Sequence, residues 1–396
     1  MRILYNISIY IYVVSIYIYA LLNTKAKEWT KGRRNIFKKL QKSTKNYNNI
    51  VWFHCASLGE YEQGKSLIKA YKEKFTKDKI LLTFFSPSGY NIGKYSPLAD
   101  FVFYLPSDTK SNARNFIAIV KPIKVFFIKY EFWFNYMNEI KQNKIPFYSI
   151  SSIFRKEQAF FKYSWATKQL ENFTHFFVQD KNSTELLRSI GFNNNTVIGD
   201  SRFDTVLSNS KNPAKIPVIK KFSRDKHTIV CGSTWPDDEK LLIQYIKNHP
   251  DKNYIIAPHE LQNISNLSKQ TNALLYSKAN EKNILKFNVL IIDNIGLLSN
   301  IYQFGDTAYI GGGFGTGIHN ILEAVAFGLP VVFGPNYKKS NEAKELIELK
   351  GGLSISNYKS LTIAIDSFNT YDKSIAMNYI KENTGATKKI LASIDT

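Results

Sequence analysis

The sequence predicts two α/β domains, each built on a parallel sheet with helices on both faces. Short apolar runs alternate with amphipathic segments along most of the chain, a pattern typical of buried parallel strands joined by helices. The chain has 396 residues, which is too long for one ordinary domain. The alternation breaks at residues 206–226, where two prolines and many polar and basic residues predict an interdomain linker.

The N-terminal segment precedes both domains and predicts a membrane anchor over residues 1–24. Residues 3–22 contain no charged residue and are long enough to cross a bilayer as a helix. Residues 25–45 contain nine Lys or Arg and one Glu, so the positive-inside rule keeps this juxtamembrane segment and all that follows in the cytoplasm. The basic segment would also bind anionic headgroups. A cleaved signal peptide, a buried helix and a peripheral helix remain as alternatives.

The first predicted domain covers residues 46–205 and the second covers residues 227–396, with a helical, basic tail from about residue 357. Ligands of open α/β sheets bind outside the carboxyl ends of the strands, so two such domains facing each other would form a deep cleft. The predicted strands of the first domain are 50–55, 80–85, 101–105, 124–129, 146–150, 175–179 and 196–198. Those of the second are 227–233, 254–257, 289–292, 307–310 and 330–333.

The net charge and the cysteine content indicate which kinds of binding partner and which cellular setting to expect. A net charge of +21 favours nucleic acid, an anionic membrane or a phosphorylated substrate. No RNA- or DNA-binding motif is present, so nucleic acid is not expected. The only cysteines, Cys55 and Cys231, cannot form a disulfide framework, and no Cys/His spacing resembles a zinc site. A reducing cytoplasmic setting fits this usage.

Residues 311–335 form the glycine-rich segment, in which a strand runs into three glycines and then a short predicted helix. Such glycines let the backbone approach a ligand, and the N-terminus of the following helix would favour a phosphate. Asn320 and Glu323 would share one face of that helix. A tight structural turn with capping residues is the alternative to a nucleotide-sugar pocket. The candidate donor-site residues here are Gly312, Gly313, Gly317, His319, Asn320 and Glu323.

Two carboxylates follow strands of the first domain. Glu60 lies at a helix start after residues 50–55, and Glu131 is predicted to begin the helix after residues 125–129. Each can be a helix-dipole acid or a general base at the sheet edge. Both carboxylates would lie at the same edge of the same sheet, and this favours the catalytic interpretation.

Other strand ends add polar candidates. Ser86, Ser88 and Gly89 form either an ordinary capped turn or an acceptor-phosphate contact. Arg202 either reaches an anion across the cleft or forms a salt bridge with a flanking aspartate. In the second domain, Ser233 and Thr234 either touch a phosphate or cap a helix, and His259 also ends a strand.

Taken in order, these motifs resemble the family of transferases for 3-deoxy-D-manno-octulosonic acid (Kdo). The similar segments are HCASLGE (54–60), YEFWFN (130–135), SIFRK (152–156), GDSRFD (199–204), GST (232–234) and the glycine-rich segment. The resemblance implies a GT-B fold of two facing Rossmann-like domains, with the acceptor site first and the CMP-Kdo site second. It implies an inverting transfer of Kdo to the lipid A precursor (lipid IVA) in lipopolysaccharide biosynthesis, at the cytoplasmic leaflet of the bacterial inner membrane. It also places the catalytic base on Glu60 and a second acid on Glu131, with no metal or cofactor.

The chain departs from the family pattern at three positions. His259 stands where the family often has the arginine that contacts the nucleotide phosphate, and would replace it in part. Phe134 and Asp200 stand where the family commonly has proline and asparagine. The alternatives are another membrane-associated GT-B enzyme that uses a UDP- or GDP-sugar, and a non-catalytic membrane-tethered relative. A sugar-nucleotide epimerase shares the fold, but the predicted anchor argues against it.

Overall fold

Two parallel β-sheets organise the part of the chain that the structure describes, residues 2–129 and 131–394 of a computed structural model. The chain divides into two units. Unit 1 comprises the residues up to Thr205 together with those from Thr384 onward, and unit 2 runs from Val206 to Asn383. The predicted class, two doubly wound α/β domains, is confirmed. Tyr130, the first residue of the YEFWFN motif, lies outside the described residues.

The sheet of unit 1 has seven parallel strands in the order β3-β2-β1-β4-β5-β6-β7 among the described residues. Every residue of the central strand β1 is buried. Because side chains alternate along a strand, Trp52 packs into the apolar cluster on one face of the sheet, whereas Val51 and Phe53 pack into the cluster on the other. The strands are β1 (Ile50–Cys55), β2 (Lys79–Phe84), β3 (Phe101–Tyr104), β4 (Lys124–Ile128), β5 (Phe147–Ser152), β6 (His175–Val178) and β7 (Asn195–Val197).

Helices cover both faces of this sheet and extend to the N-terminus. The first helix is long and apolar enough to cross a membrane by length and composition. In chain order the helices up to the unit boundary are α1 (Arg2–Tyr19), α2 (Thr24–Gly32), α3 (Ile36–Thr44), α4 (Leu58–Lys74), α5 (Pro87–Gly93), α6 (Lys110–Val120), α7 (Phe134–Gln142), α8 (Ser164–Leu170), α9 (Lys181–Ser189) and α10 (Arg202–Lys211).

The sheet of unit 2 also has seven parallel strands among the described residues, in the order β10-β11-β9-β8-β12-β13-β14. The two outermost strands, β10 and β14, are short and were not predicted from the sequence. The strands are β8 (Thr228–Thr234), β9 (Asn253–Pro258), β10 (Leu274–Leu275), β11 (Val289–Ile291), β12 (Thr307–Ile310), β13 (Val331–Phe333) and β14 (Gly352–Ser354).

The helices near the boundary between the units differ from the predicted organisation. Residues 206–226, predicted as a linker, contain the second half of α10 and all of α11, because Pro217 starts a helix whose Ile219 and Phe222 are buried. The remaining helices are α11 (Pro217–Phe222), α12 (Pro236–Asn248), α13 (Ile264–Thr271), α14 (Leu298–Ile301), α15 (Leu322–Val325), α16 (Asn341–Glu348), α17 (Tyr358–Ser367), α18 (Lys373–Glu382) and α19 (Ala386–Ser393).

The last helix, α19, belongs to unit 1, whereas the sequence placed residues 227–396 in one domain. Ala386 and Ile390 are fully buried in the same apolar cluster as Val51 of β1. The carboxylate of Asp204 accepts hydrogen bonds from the backbone of Gly385 and Thr387, both at 2.6 Å. Apolar burial and this carboxylate therefore hold the C-terminal helix on the first unit.

Candidate functional site

The carboxyl ends of three neighbouring strands carry the acidic and hydroxyl candidates of unit 1. Because β2, β1 and β4 are adjacent and parallel, the turns that follow them lie at one edge of the sheet. Ser86 follows β2, Glu60 follows β1 and Glu131 follows β4. The structure thus brings together three candidates that lie far apart in sequence.

One of the two carboxylate oxygens of Glu60 caps the helix in which Glu60 lies. Its Oε2 accepts hydrogen bonds from the backbone N–H groups of Ala56 and Ser57, the second at 3.2 Å, while Ser57 Oγ accepts from Glu60 N at 3.4 Å. This reciprocal pair is a capping box at the start of α4. Among the described residues, the other oxygen, Oε1, accepts no hydrogen bond, so it is available to a substrate hydroxyl.

Burial and a like charge set the protonation of Glu60. Burial, and after it the neighbouring Glu131 carboxylate, raise the pKa of Glu60 to about 8. The backbone hydrogen bonds and the charge of Lys129 act in the opposite direction but do not outweigh these effects. A carboxyl whose pKa lies near neutrality can take up a proton in catalysis and release it again.

Glu131 lies in the loop before α7, not at the helix start that the sequence predicted. The helix begins at Phe134, because the backbone N–H groups of Asn135 and Tyr136 are both capped by Asp108, at 3.0 Å each. Asp108 comes from a distant part of the chain, so this cap is not visible in the local sequence. Glu131 is left without a capping role and has 13% of its side chain exposed.

His54 contacts Glu131 and was not identified from the sequence. It is fully buried at the end of β1, with Nε2 3.4 Å from Glu131 Oε2 and Nδ1 2.9 Å from Thr83 Oγ1. Trp52 Nε1 donates to the same Thr83 oxygen at 2.7 Å, and the Thr83 hydroxyl donates to the Phe53 carbonyl at 3.5 Å. His54 Nδ1 also lies 3.2 Å from the Thr83 carbonyl, which can only accept a hydrogen bond. The only local signal was a histidine inside a run that is otherwise apolar.

The other predicted acceptor residues have structural partners. Ser86 caps α5, since its Oγ accepts from Gly89 N at 3.3 Å, and it lies 3.0 Å from Ser88 Oγ. Arg202 pairs with Asp200 Oδ2 through Nε at 2.8 Å and Nη2 at 2.6 Å. The structure therefore gives Arg202 the salt bridge that stood as the alternative to an anion contact.

In unit 2 a stack of three rings lies at the carboxyl ends of β8, β9 and β12. His259 stacks on Trp235 and on His319, with ring centroids 4.5 Å apart in both cases. Trp235 Nε1 donates to His319 Nε2 at 2.9 Å. Burial and the adjacent His259 lower the pKa of His319 to about 4. His319 is therefore neutral, with its proton on Nδ1 as a donor.

The glycine-rich segment is folded back on itself by one buried carboxylate. Asp238 Oδ2 accepts from Gly312 N at 2.8 Å, and Asp238 Oδ1 accepts from the Tyr309 hydroxyl at 2.8 Å. Gly312 has a φ of 90°, and its carbonyl accepts from Gly315 N and Gly317 N. Such a conformation favours glycine. Asp238 therefore fixes the start of this turn.

Asn320 and Glu323 are in contact, although not on one helical face as predicted. The helix α15 begins at Leu322, so Asn320 precedes it, and its Oδ1 accepts from Leu322 N at 3.2 Å. Asn320 Nδ2 donates to Glu323 Oε1 at 3.0 Å. The helix has only four residues because Gly328, with a φ of 79°, and Pro330 follow closely. It is too short to provide the phosphate-binding N-terminus that the sequence predicted.

Ser233 and Thr234 differ in whether the side-chain hydroxyl has a hydrogen-bond partner. Thr234 is buried, and its hydroxyl donates to Glu239 Oε1 at 3.1 Å. Ser233 has a φ of 53° and lies at a bulge between β8 and β9. Of the predicted hydroxyl pair, Ser233 is thus the residue without a side-chain hydrogen bond among the described residues.

Comparison with known proteins relates the chain to one family. Residues 30–205 match the family model described as 3-deoxy-D-manno-octulosonic-acid transferase (kdotransferase). The 3-deoxy-D-manno-octulosonic acid transferase of Rickettsia felis is 26% identical over 351 residues, which cover 85% of this chain and 75% of that protein. The chain is similar to the Kdo transferases over most of its length, which indicates a glycosyltransferase enzyme.

Two further comparisons bear on length and fold. A bifunctional glycosyltransferase/methyltransferase of Fusobacterium nucleatum is 26% identical over 364 residues, and this chain spans 56% of its length. A putative UDP-N-acetylglucosamine 2-epimerase from Listeria monocytogenes superimposes with a TM-score of 0.60 at 13% identity, covering 88% of this chain and 96% of that one. The family match contains Glu60, Glu131 and His54, while the structural match shows the GT-B type of fold.

No group of three or more His, Cys, Asp or Glu side chains that could hold a metal occurs among the described residues. Cys55 and Cys231 are both buried and unpaired. Metal-free transfer remains a prediction.

Proposed function

We propose that this chain is a Kdo transferase that moves Kdo from CMP-Kdo to a sugar hydroxyl of the lipid A precursor with inversion at the anomeric carbon. The observation that carries the proposal is Glu60. It stands in the segment that matches the family model, one of its oxygens is free of the helix cap, and its pKa is raised to about 8. A carboxyl in this state suits a general base.

In the proposed reaction, Glu60 Oε1 takes the proton of the acceptor hydroxyl. The hydroxyl oxygen forms a bond with the anomeric carbon of Kdo, while the bond from that carbon to the CMP phosphate oxygen breaks and CMP leaves. Glu60 then returns its proton to water. Burial, with Glu131 after it, keeps the pKa of Glu60 high, so that the deprotonated carboxylate is a stronger base.

Unit 2 would bind the donor through its glycine-rich segment and ring stack. The backbone of Gly312, Gly313 and Gly317 would lie against the sugar nucleotide. His319 Nδ1–H, Asn320 and Glu323 would contact hydroxyl or carboxylate groups of the sugar or ribose. Ser233 and His259 would contact the phosphate, so that no metal is needed, whereas Thr234 acts through its hydrogen bond to Glu239.

On the acceptor side, Ser86, Ser88 and Gly89 would contact the acceptor phosphate next to Glu60. The exposed apolar face of α1 and the basic helices α2 and α3 support a location at the cytoplasmic leaflet of the bacterial inner membrane. The acceptor would be drawn from that leaflet.

The test is a side-by-side assay of donors with the full chain in detergent. A lipid A precursor is incubated with freshly generated CMP-Kdo, with a UDP-sugar or with a GDP-sugar, and the products are weighed by mass spectrometry. A gain of one or more Kdo units only in the CMP-Kdo reaction is expected. Transfer from a UDP- or GDP-sugar instead would reject the donor, and no transfer from any donor would favour a non-catalytic relative.

A further inference from the structure

A cavity of about 440 Å³ lies in unit 1, and Pro106 and Ser107 of the loop after β3 form part of its wall. Its walls come from the anchor helix α1, from α2 and α3, and from the loop before α6. The volume lies toward the lower end of small-molecule sites, roughly 300–1,000 Å³. It is lined by Val13, Tyr17, Trp29, Arg33, Asn35, Ile36, Phe37, Lys38, Pro106, Ser107 and Asn112.

The anchor helix is fixed over this region by polar contacts at its first turn. The Tyr5 hydroxyl donates to Asp108 Oδ2 at 2.5 Å, and Asn135 Nδ2 donates to Asn6 Oδ1 at 2.9 Å. Ile9 is buried and Val13 half-buried on the same face of α1. The helix therefore lies along unit 1, and Val13 becomes part of the cavity wall.

One wall of the cavity carries a buried cation without a carboxylate partner. Arg33 is only 9% exposed and donates to the carbonyls of Leu105, Trp29 and Phe85 at 2.8, 3.1 and 2.8 Å. Among the described residues no carboxylate pairs with it. Burial lowers the pKa of Arg33 to about 9. An uncompensated buried charge is costly, and an anion in the cavity would offset that cost.

Trp29, another residue of the cavity wall, carries a buried donor. Trp29 is 5% exposed and its Nε1 has no hydrogen-bond partner among the described residues. Buried polar groups are nearly always paired, so this N–H indicates a missing acceptor. Lys38 adds an exposed cation at the rim. The polar side of the cavity thus offers donors and positive charge.

Other residues of the cavity wall are apolar. Val13, Ile36 and Phe37 are among them, and Tyr17, which also lines the cavity, is 55% exposed. The outward face of α1 exposes Ile3, Leu4, Ile7, Tyr10, Ile11, Tyr12, Val14, Tyr17, Ile18 and Tyr19. An exposed apolar surface of this extent is typical of contact with lipid.

We propose that this cavity binds one anionic phospholipid of the surrounding leaflet. Its phosphate is held by Arg33, Trp29 Nε1 and Lys38, and one acyl chain lies along Val13, Ile36 and Phe37. The volume suits a single chain and not a glycolipid with several. The proposal does not depend on the identity of the sugar transferred.

The experiment measures lipid retention on the full chain by native mass spectrometry from detergent micelles. The micelles contain phosphatidylglycerol, phosphatidylcholine or the phosphorylated glycolipid acceptor. We expect one phosphatidylglycerol per chain to be retained in preference to the other two. Equal retention of phosphatidylcholine, or preferred retention of the glycolipid, would overturn the proposal.

Two matched pairs of variants locate the site. Val13→Trp fills the cavity, while Val14→Trp places the same ring on the outward face; we expect only the first to reduce retention, by about tenfold or more. Lys38→Gln should reduce the preference for phosphatidylglycerol, whereas Lys39→Gln should not. Equal effects within both pairs would refute the site. If Val13→Trp fails to fold, Lys38→Gln and Lys39→Gln test the site instead. Lys38 is exposed, so its substitution should not disturb folding.

Discussion

Glu60 shows how one side chain can hold a structural and a chemical role. A carboxylate in a capping box is normally stabilised in its charged form by the backbone N–H groups it accepts from. Here burial and Glu131 prevail over those bonds, and the pKa of Glu60 rises to about 8. The two roles use different oxygens, so they are compatible.

The first prediction concerns Glu60→Gln. The amide oxygen can still accept from Ala56 and Ser57, so the fold should be retained, but the general base is lost. Transfer should slow by about 10²–10⁴-fold, the usual contribution of such a group. Glu62→Gln is the control, since Glu62 lies on the same helix, is 35% exposed and pairs with Lys65. Near-normal transfer by a folded Glu60→Gln enzyme would reject Glu60 as the base.

The second prediction concerns pH. Because the base must be deprotonated, kcat/KM should rise with pH and level off above about 8. Glu131→Gln removes the like charge, so the pKa of Glu60 should fall and the rise should move to lower pH. A pH–rate profile of both proteins checks this, and an unshifted profile would show that Glu131 does not set the pKa of Glu60.

The same pKa shift has a consequence for stability. A carboxyl whose pKa is raised in the folded state, here from 4.5 to about 8, binds its proton more tightly when folded. The stabilisation is complete below pH 4.5 and is lost as pH rises to about 8. Chemical denaturation across this range should show a shallower decline for Glu60→Gln than for the native chain.

At the scale of elements, the glycine-rich segment is defined by backbone contacts between neighbouring strand ends. A Cβ added to Gly313 would lie 2.5 Å from the backbone nitrogen of Gly334, after β13. A Cβ on Gly315 would meet only the Gly312 carbonyl oxygen, at 3.7 Å. A close backbone contact therefore requires glycine at position 313, whereas the space around Gly315 would accept a Cβ.

The third prediction compares Gly313→Ala with Gly315→Ala. Gly313→Ala should lower the free energy of unfolding by about 1–3 kcal/mol, the usual cost of overpacking, and should weaken donor binding. Gly315→Ala should change stability little. Thermal unfolding and a donor-binding titration test both variants, and equal stability of the two would contradict the close approach of Gly313 to Gly334.

Local sequence predicted the central strands well and two helix starts poorly. β1 matches its predicted range because a run of buried apolar residues bounded by small residues identifies a strand. The start of α7 was misplaced because its cap, Asp108, comes from another loop. α15 starts only at Leu322, because the backbone N–H groups of Ile318 and His319 bond to the carbonyls of Asn336 and Gly311 instead.

At the scale of the whole molecule, α19 makes unit 1 a product of both ends of the chain. Ile390 is fully buried in the apolar cluster that contains Val51 and Phe53. The length and composition of this tail do not indicate whether it packs on the sheet of unit 2, which directly precedes it in sequence, or on the sheet of unit 1, which is more distant in sequence. The assignment depends on which sheet leaves an apolar surface open.

The fourth prediction follows from this packing. Ile390→Ala should lower the stability of unit 1 by about 2–5 kcal/mol, the usual cost of truncating a buried isoleucine. Lys389→Ala, one residue earlier and exposed, should have little effect. Hydrogen exchange in mild denaturant should show faster exchange in the strands of unit 1, including β1. Faster exchange confined to unit 2 would contradict the assignment of α19.

The sequence by itself determined the two parallel sheets, the apolar N-terminal helix and the strand-end positions of Glu60, Glu131 and the glycine-rich segment. These follow from local periodicity and from where apolar runs stop, which are properties of neighbouring residues. Tertiary structure alone decided the partners: Arg202 with Asp200, His54 with Glu131, and Asp238 with Gly312. A hydrogen bond or a pKa shift depends on groups that approach only after the sheet order is set, so it cannot be read from spacing along the chain.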